Sequence, residues 1–143
     1  MKLQRFMKTF GKLNIISALY ALVLVIQIQP MANIYRIFRI TNWSFSAVYM
    51  LIAMFNLIIF IISTIIFFFI TRKHLSQKKI RYLLTLIWIP YYIIITLIYN
   101  FLTPVIVKSE EPGPVVGLLF IVIFLSYPFY IAFINLISSR SWW

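Results

Sequence analysis

Three side chains of this chain carry a carboxylate or an imidazole: His74, Glu110 and Glu111. The two carboxylates are neighbours in sequence, and neighbouring side chains do not face each other as an acid–base pair must. His74 lies among basic residues, with no carboxylate or thiol beside it to complete a triad or a zinc site. The chain contains no cysteine, which excludes disulfides and thiol nucleophiles. We therefore expect no catalytic residue, metal site or cofactor, and we interpret all three side chains as solvated loop residues.

Uncharged polar side chains recur at helical spacing in two long apolar segments. Such stripes are typical of surfaces where membrane helices meet, because small side chains allow close approach and hydroxyl or amide groups bond across. They either pack inside the chain's own bundle or form a face that recognises another membrane protein. We select as the helix-contact face Asn56 and Ser63 from one segment and Tyr92, Thr96 and Tyr99 from the next. A carboxamide in lipid needs a partner, and Asn56 is expected to bond either Tyr92 or Thr96 across the hairpin or a helix of a partner protein.

The segments that carry these stripes are long enough to cross a membrane. Apolar residues make up 64% of the chain and charged residues 10%, against about 45–50% and about 25% in soluble domains. A spanning helix needs about 20 mostly apolar residues, and four charge-free segments approach or exceed that length. The predicted fold is a single all-α transmembrane domain over residues 1–143. It is a polytopic four-helix bundle whose spans lie at about 13–29, 45–70, 82–107 and 115–138.

Basic residues are concentrated on one side of these spans. The chain has 13 Lys and Arg, 2 acidic residues and a net charge of +11. Ten of the 13 lie in the N-terminal tail, the second loop and the C-terminal tail, which share one side if there are four spans. The positive-inside rule makes that side the cytoplasm, so we expect a cytoplasmic (inner) membrane protein with both termini cytoplasmic. No contiguous basic face is present, so nucleic acid is not an expected partner. The expected contacts with anionic lipids are Lys8, Lys12, Arg72, Lys73, Lys78, Lys79 and Arg81.

The first span has a second interpretation. Basic residues followed by an apolar run are also the order found in a secretory signal peptide. A cut after Ala32 would place Pro30 at a position where a small residue is preferred. We therefore favour a true first span.

The connections between the spans carry their own predictions. Residues 30–44 alternate apolar and basic side chains, which fits either an amphipathic segment on the outer interface or an ordinary loop with interfacial aromatics. Residues 72–81 leave room only for a tight turn, so spans two and three are expected to form an antiparallel hairpin. At the C-terminus, Trp142 and Trp143 with Arg140 are expected to anchor the chain at the interface.

Two family resemblances rest on the second half of the chain. The stretch FFFITRKHLSQKKIRYLLTLIWI joins spans two and three through a basic loop, and SSR follows the last span. In these parts the chain resembles a family of uncharacterised bacterial four-span inner-membrane proteins. From TRKHL onward, the segment IRYLLTLIWIPYYIIITLIYNFL also looks like immunity proteins against pore-forming colicins, through Arg81, Pro90, Ile98 and Tyr99. Those small polytopic proteins engage the toxin's helices within the bilayer, which implies a non-catalytic protein with a membrane-protein partner.

The sequence therefore favours a non-catalytic protein that acts through intramembrane helix–helix contacts with another membrane protein. It would be an accessory subunit or an immunity-type protein. No Asp, Glu, Lys, Arg or His lies inside a predicted span, and such residues mark proton relays and ion paths, so a proton-coupled transporter is disfavoured. The alternative is a homo-oligomeric channel or passive transporter with a pore lined by the polar stripes.

Overall fold

The computed structural model describes residues 1–75, 78–104 and 107–139, with the side chain of Lys78 excepted. These residues are largely helical, and no strand occurs among them. Four of the described helical segments are long and apolar enough to cross a membrane, which confirms the predicted all-α fold with four spans. The helices in chain order are α1 (Lys2–Ala32), α2 (Ile34–Thr41), α3 (Phe45–His74), α4 (Lys78–Arg81), α5 (Leu84–Leu102) and α6 (Pro114–Ser139), with a 3-10 turn at Lys108–Glu110.

The helix boundaries follow local backbone chemistry. α3 begins where the hydroxyl of Ser44 accepts a hydrogen bond from the Ala47 N–H at 3.2 Å, which satisfies a donor that the first turn leaves open. α5 ends at Leu102, earlier than the predicted 107, because Pro104 disfavours helical backbone at the residue before it. α1 starts at Lys2 and so includes the whole basic tail, since Lys and Arg are good helix formers.

The segment 30–44 folds in large part as the short helix α2. Asn33 separates α2 from α1, and its side-chain amide donates to the carbonyl of Gln29 at 2.8 Å. Asn42 ends α2 with a φ of 54°, a left-handed conformation that asparagine adopts more readily than most residues. α2 packs against α3 and the 3-10 turn. Of the two interpretations of this connection, a helical segment is the one the structure contains.

The spanning helices form a ring, in which α1 and α6 each contact both α3 and α5. α3 and α5 therefore lie across the bundle from each other. The predicted hairpin of spans two and three is wrong, because these spans are consecutive in the chain but diagonal in the bundle. α1 packs beside both α3 and α5. It is the most buried spanning helix and packs most extensively on α5, and its small residues Ser17 and Ala21 are fully buried.

Four aromatic rings, one from each spanning helix, close the middle of the bundle. The ring of Tyr20 stacks on that of Phe67 with centroids 3.8 Å apart. Across the centre, the hydroxyl of Tyr127 donates to the backbone carbonyl of Tyr20 at 2.6 Å. The fully buried ring of Trp88 lies 4.9 Å from that of Tyr127. α1 and α6 are therefore connected directly by a hydrogen bond through the core, and indirectly because both pack on α3 and α5.

The bundle has two chemically different ends. One, the basic end, contains the starts of α1 and α5 and the ends of α3 and α6, with Lys12, Lys73 and Lys79 exposed there. The amide of Asn135 donates to the carbonyl of Arg81 at 2.9 Å, which fixes the end of α6 beside the start of α5. The opposite end carries α2 and the 3-10 turn. We call it the clamp end, after the ion pairs described next.

Candidate functional site

At the clamp end, one carboxylate is held between two guanidinium groups. Arg36 and Arg39 are three residues apart on α2, which places them on the same face of that helix. Arg36 donates through Nε to Glu110 Oε2 at 3.1 Å, and Arg39 donates through Nε to Glu110 Oε1 at 2.5 Å. Arg36 Nη2 also donates to the carbonyl of Pro104 at 3.0 Å. This clamp fastens α2 to the connection between α5 and α6.

The clamp sets the protonation state of Glu110. Its side chain is only 4% exposed, and burial by itself raises the pKa of a carboxyl group. The hydrogen bonds and positive charges of Arg36 and Arg39 outweigh that effect, so the pKa of Glu110 lies below its ordinary value. Glu110 is therefore ionised at neutral pH.

A polar cavity of about 350 Å³ lies between α1, α5 and the start of α6, near the clamp. None of its described lining residues carries a charged side chain. The hydroxyl of Thr96 is buried there and has no hydrogen-bond partner among the described residues. The lining also carries the exposed amide of Asn100, so the cavity offers hydrogen-bond donors and acceptors to a guest. The lining residues are Ile28, Gln29, Ala32, Asn33, Tyr92, Thr96, Tyr99, Asn100, Thr103, Pro112 and Phe120.

A second recess, the Asn56 groove, has a volume of about 330 Å³ and a mostly apolar lining. Asn56 contributes an amide to the lining, and its Oδ1 atom is buried without a hydrogen-bond partner among the described residues. Ala53, one turn nearer the clamp end, is exposed and leaves room beside the amide. The lining residues are Met31, Ile34, Tyr35, Phe45, Tyr49, Ile52, Ala53, Asn56, Val115, Val116 and Leu119.

The structure divides the predicted helix-contact face between three places. Tyr92, Thr96 and Tyr99 come together in the polar cavity, whereas Asn56 lines its own groove. Ser63 is buried, and its hydroxyl donates to the carbonyl of Phe60 at 3.1 Å. Since α3 and α5 are diagonal, Asn56 does not reach Tyr92 or Thr96, and the predicted bond across a hairpin is wrong.

Most of the residues expected to contact anionic lipids are at the basic end. The guanidinium of Arg72 lies 6.0 Å from the ring of Phe68. The side chain of Lys78 and the predicted anchor of Arg140, Trp142 and Trp143 lie outside the described residues. Four of the seven expected lipid contacts have exposed side chains: Lys8, Lys12, Lys73 and Lys79.

Arg81 differs from those residues because its side chain is buried, with 5% exposed. Its guanidinium donates to the carbonyl of Leu75, and Nη1 lies 3.5 Å from the hydroxyl of Ser138. The amide of Asn135 in turn bonds the Arg81 carbonyl. The side chain joins the end of α3, the start of α5 and the end of α6. Arg81 is thus a structural residue rather than part of the basic surface.

The sequence missed Glu110. We expected both neighbouring carboxylates to be solvated, which fits the exposed Glu111 but not the buried, doubly paired Glu110. The available signal was topological, since the predicted spans place the carboxylates at the same end as Arg36 and Arg39. A carboxylate beside two arginines spaced for one helix face is a candidate ion pair.

The described residues of these sites present hydrogen-bonding groups and apolar surface. Within the described residues, no group of three or more His, Cys, Asp and Glu side chains is placed to hold a metal ion. His74 is exposed, and its Nδ1 lies 3.2 Å from the carbonyl of Ile70, one turn earlier in α3. No family model matches the chain, and neither the curated proteins nor the solved structures give a match.

Proposed function

We propose that this protein is a non-catalytic protein of the cytoplasmic membrane that docks a helix of another membrane protein in the Asn56 groove. It would serve as an accessory subunit or as an immunity-type protein, with both termini in the cytoplasm. The observation that carries the proposal is the Oδ1 atom of Asn56, which is buried in a helix long and apolar enough to cross a membrane and has no hydrogen-bond partner in the described part of the chain.

The chemistry of the groove favours a helix over lipid. An acyl chain has no donor for Asn56, so lipid in the groove leaves the amide oxygen unsatisfied at a cost in free energy. A helix bearing a hydroxyl or amide at the matching level supplies the missing hydrogen bond. The exposed Ala53, one turn away, lets the backbone of such a helix approach closely.

The packing of the core does not favour transport of a solute through a single copy of the protein. The rings of Tyr20, Phe67, Trp88 and Tyr127 pack against each other across the middle of the bundle. They separate the polar cavity from the basic end. A channel would therefore have to form between copies, and the experiment below separates that alternative from recognition of a different protein.

Photo-cross-linking in native membranes tests the proposal. A photoreactive side chain in place of Ala53 lies in the groove, and one in place of Leu125, which is 63% exposed on α6, serves as the control outside it. We expect the Ala53 probe, but not the Leu125 probe, to yield a discrete adduct with another membrane protein. Asn56→Leu should weaken that adduct about threefold to thirtyfold, as expected for one hydrogen bond between membrane helices.

Two outcomes would overturn the proposal. Adducts formed only between copies of this chain would support the homo-oligomeric channel or passive transporter instead. Equal, diffuse labelling from both positions would mean that lipid fills the groove. In either case, recognition of another protein through Asn56 would be rejected.

A further inference from the structure

Hydrogen-bonding groups line the polar cavity, and no charged side chain occurs among its described lining residues. Seven of the eleven lining residues that the structure describes have polar side chains, and none of the eleven is Lys, Arg, His, Asp or Glu. Polar groups at membrane depth are otherwise used in pairs between helices. The polar lining residues are Gln29, Asn33, Tyr92, Thr96, Tyr99, Asn100 and Thr103.

Only part of this hydrogen-bonding capacity is used internally. The amide of Asn33 donates to the carbonyl of Gln29, and the hydroxyl of Thr103 donates to that of Tyr99. The hydroxyl of Thr96 is buried and unpartnered within the described residues. Both donors and acceptors therefore remain for a guest.

The charge and shape of the cavity limit the chemical class of molecule that can bind in it. The nearby clamp keeps one net positive charge, but both guanidinium groups are directed to Glu110, and neither arginine is among the described lining residues of the cavity. A charged guest would lose its hydration without gaining a counter-charge in the cavity walls. The rings of Tyr92, Tyr99 and Phe120 supply flat apolar surfaces, against which the C–H faces of a saturated ring can pack.

We propose that this cavity binds an uncharged polyhydroxyl group of about the size of one sugar ring. The volume of about 350 Å³ falls within the usual range of ligand pockets, about 300–1,000 Å³. Hydroxyl groups match the mixed donors and acceptors of Asn100 and Thr96, and the rings cover the apolar faces. A free sugar and the sugar headgroup of a glycolipid share this chemistry. This site is separate from the Asn56 groove, so the two proposals stand independently.

Ligand-dependent thermal stability of the purified full chain tests the inference. The protein is kept in a detergent without a sugar headgroup, and methyl glucoside is added as the soluble probe. Glucosyl diacylglycerol and plain diacylglycerol in lipid nanodiscs form the second arm. We expect the unfolding temperature to rise with methyl glucoside, with the glucosyl lipid, or with both, and the arm that responds identifies the source. Glucose 6-phosphate should bind more weakly than methyl glucoside.

Three variants locate the effect. Thr96→Val keeps the shape of the side chain but removes the unpartnered hydroxyl, and should weaken binding about fivefold, the usual value of one neutral hydrogen bond. Ala32→Phe fills the cavity and should abolish the response. Thr85→Val lies outside the cavity on the same helix span and should bind as the parent does. The proposal is overturned if neither sugar arm raises the unfolding temperature, or if Ala32→Phe and Thr96→Val respond like Thr85→Val.

Discussion

Glu110 makes the fold sensitive to acid at a single residue. Its folded-state pKa lies below the ordinary value of 4.5 because Arg36 and Arg39 stabilise the carboxylate. The resulting stabilisation is complete above the unfolded-state pKa and is lost as the pH falls through the lower pKa of the folded state. We expect thermal unfolding in detergent to occur at lower temperature as the pH falls below about 4.5, with no such loss from Glu110 near neutrality.

Substitutions distinguish the clamp from general acid denaturation. Glu110→Gln removes the charge and should lower the unfolding temperature at neutral pH. Its unfolding temperature should then fall less on acidification than that of the parent protein. Glu111→Gln, a change at the exposed neighbour, should behave as the parent does. Equal pH profiles for all three proteins would contradict the role assigned to the clamp.

Arg81 supports a prediction about stability. Arg81→Met should lower the free energy of unfolding by about 1–3 kcal/mol, because the buried acceptors on Leu75 and Ser138 lose their donor. Lys79→Met, a change at an exposed position, should alter it by less than about 0.5 kcal/mol. Unfolding by a denaturing detergent, followed by circular dichroism, provides the measurement. A loss of the same size in both variants would place Arg81 on the surface.

Residue chemistry was predictable where it depended on neighbours in the chain. The exposed Glu111 fits its loop composition, whereas Glu110, one residue earlier, is buried by contacts with α2 about 70 positions away in sequence. Arg81 also depends on a distant element, since its sequence neighbours are basic but its partner Ser138 lies on α6. Side chains that tie distant elements together require the tertiary arrangement, which no local pattern encodes.

At the scale of helices, the charge-free intervals predicted four spans, and the described residues contain four helices long and apolar enough to cross a membrane, because the bilayer sets a minimum length for a spanning helix. The order of the helices around the bundle was not predictable in the same way. In soluble proteins an apolar stripe identifies the packed face, but in lipid the outward face is apolar as well. α3 shows this, since its exposed side chains are as hydrophobic as its buried ones. Neighbour choice then depends on steric fit, and the fit favours α1 beside α5 over α3 beside α5.

The buried face of α1 gives a prediction for an element. Ala21 is 0% exposed, so Ala21→Leu forces extra volume into a packed interface and should reduce the free energy of unfolding by about 1–3 kcal/mol. Ala47→Leu, on the exposed side of α3, should change it by less than about 0.5 kcal/mol. The same detergent titration measures both. If Ala21→Leu were as stable as Ala47→Leu, α1 would not be the closely packed helix of the bundle.

For the whole molecule, the distribution of charge predicts orientation. The described basic residues of the N-terminal tail and the second loop lie at the basic end, whereas Arg36, Arg39 and Lys108 lie at the clamp end. Lys and Arg are retained on the cytoplasmic side during insertion, and acidic residues contribute little to that choice. The pairing of Glu110 with both arginines therefore leaves the prediction unchanged: the basic end faces the cytoplasm.

Because the chain contains no cysteine, a single introduced thiol reports its own side of the membrane. Ser109→Cys at the clamp end and His74→Cys at the basic end both place the thiol at an exposed position, and neither removes a Lys or Arg. A membrane-impermeant maleimide added to intact cells should label the first variant and spare the second until the cells are permeabilised. The opposite labelling pattern would show that the orientation is reversed, with the clamp and the nearby polar cavity on the cytoplasmic side. A sugar for that cavity would then have to come from inside the cell.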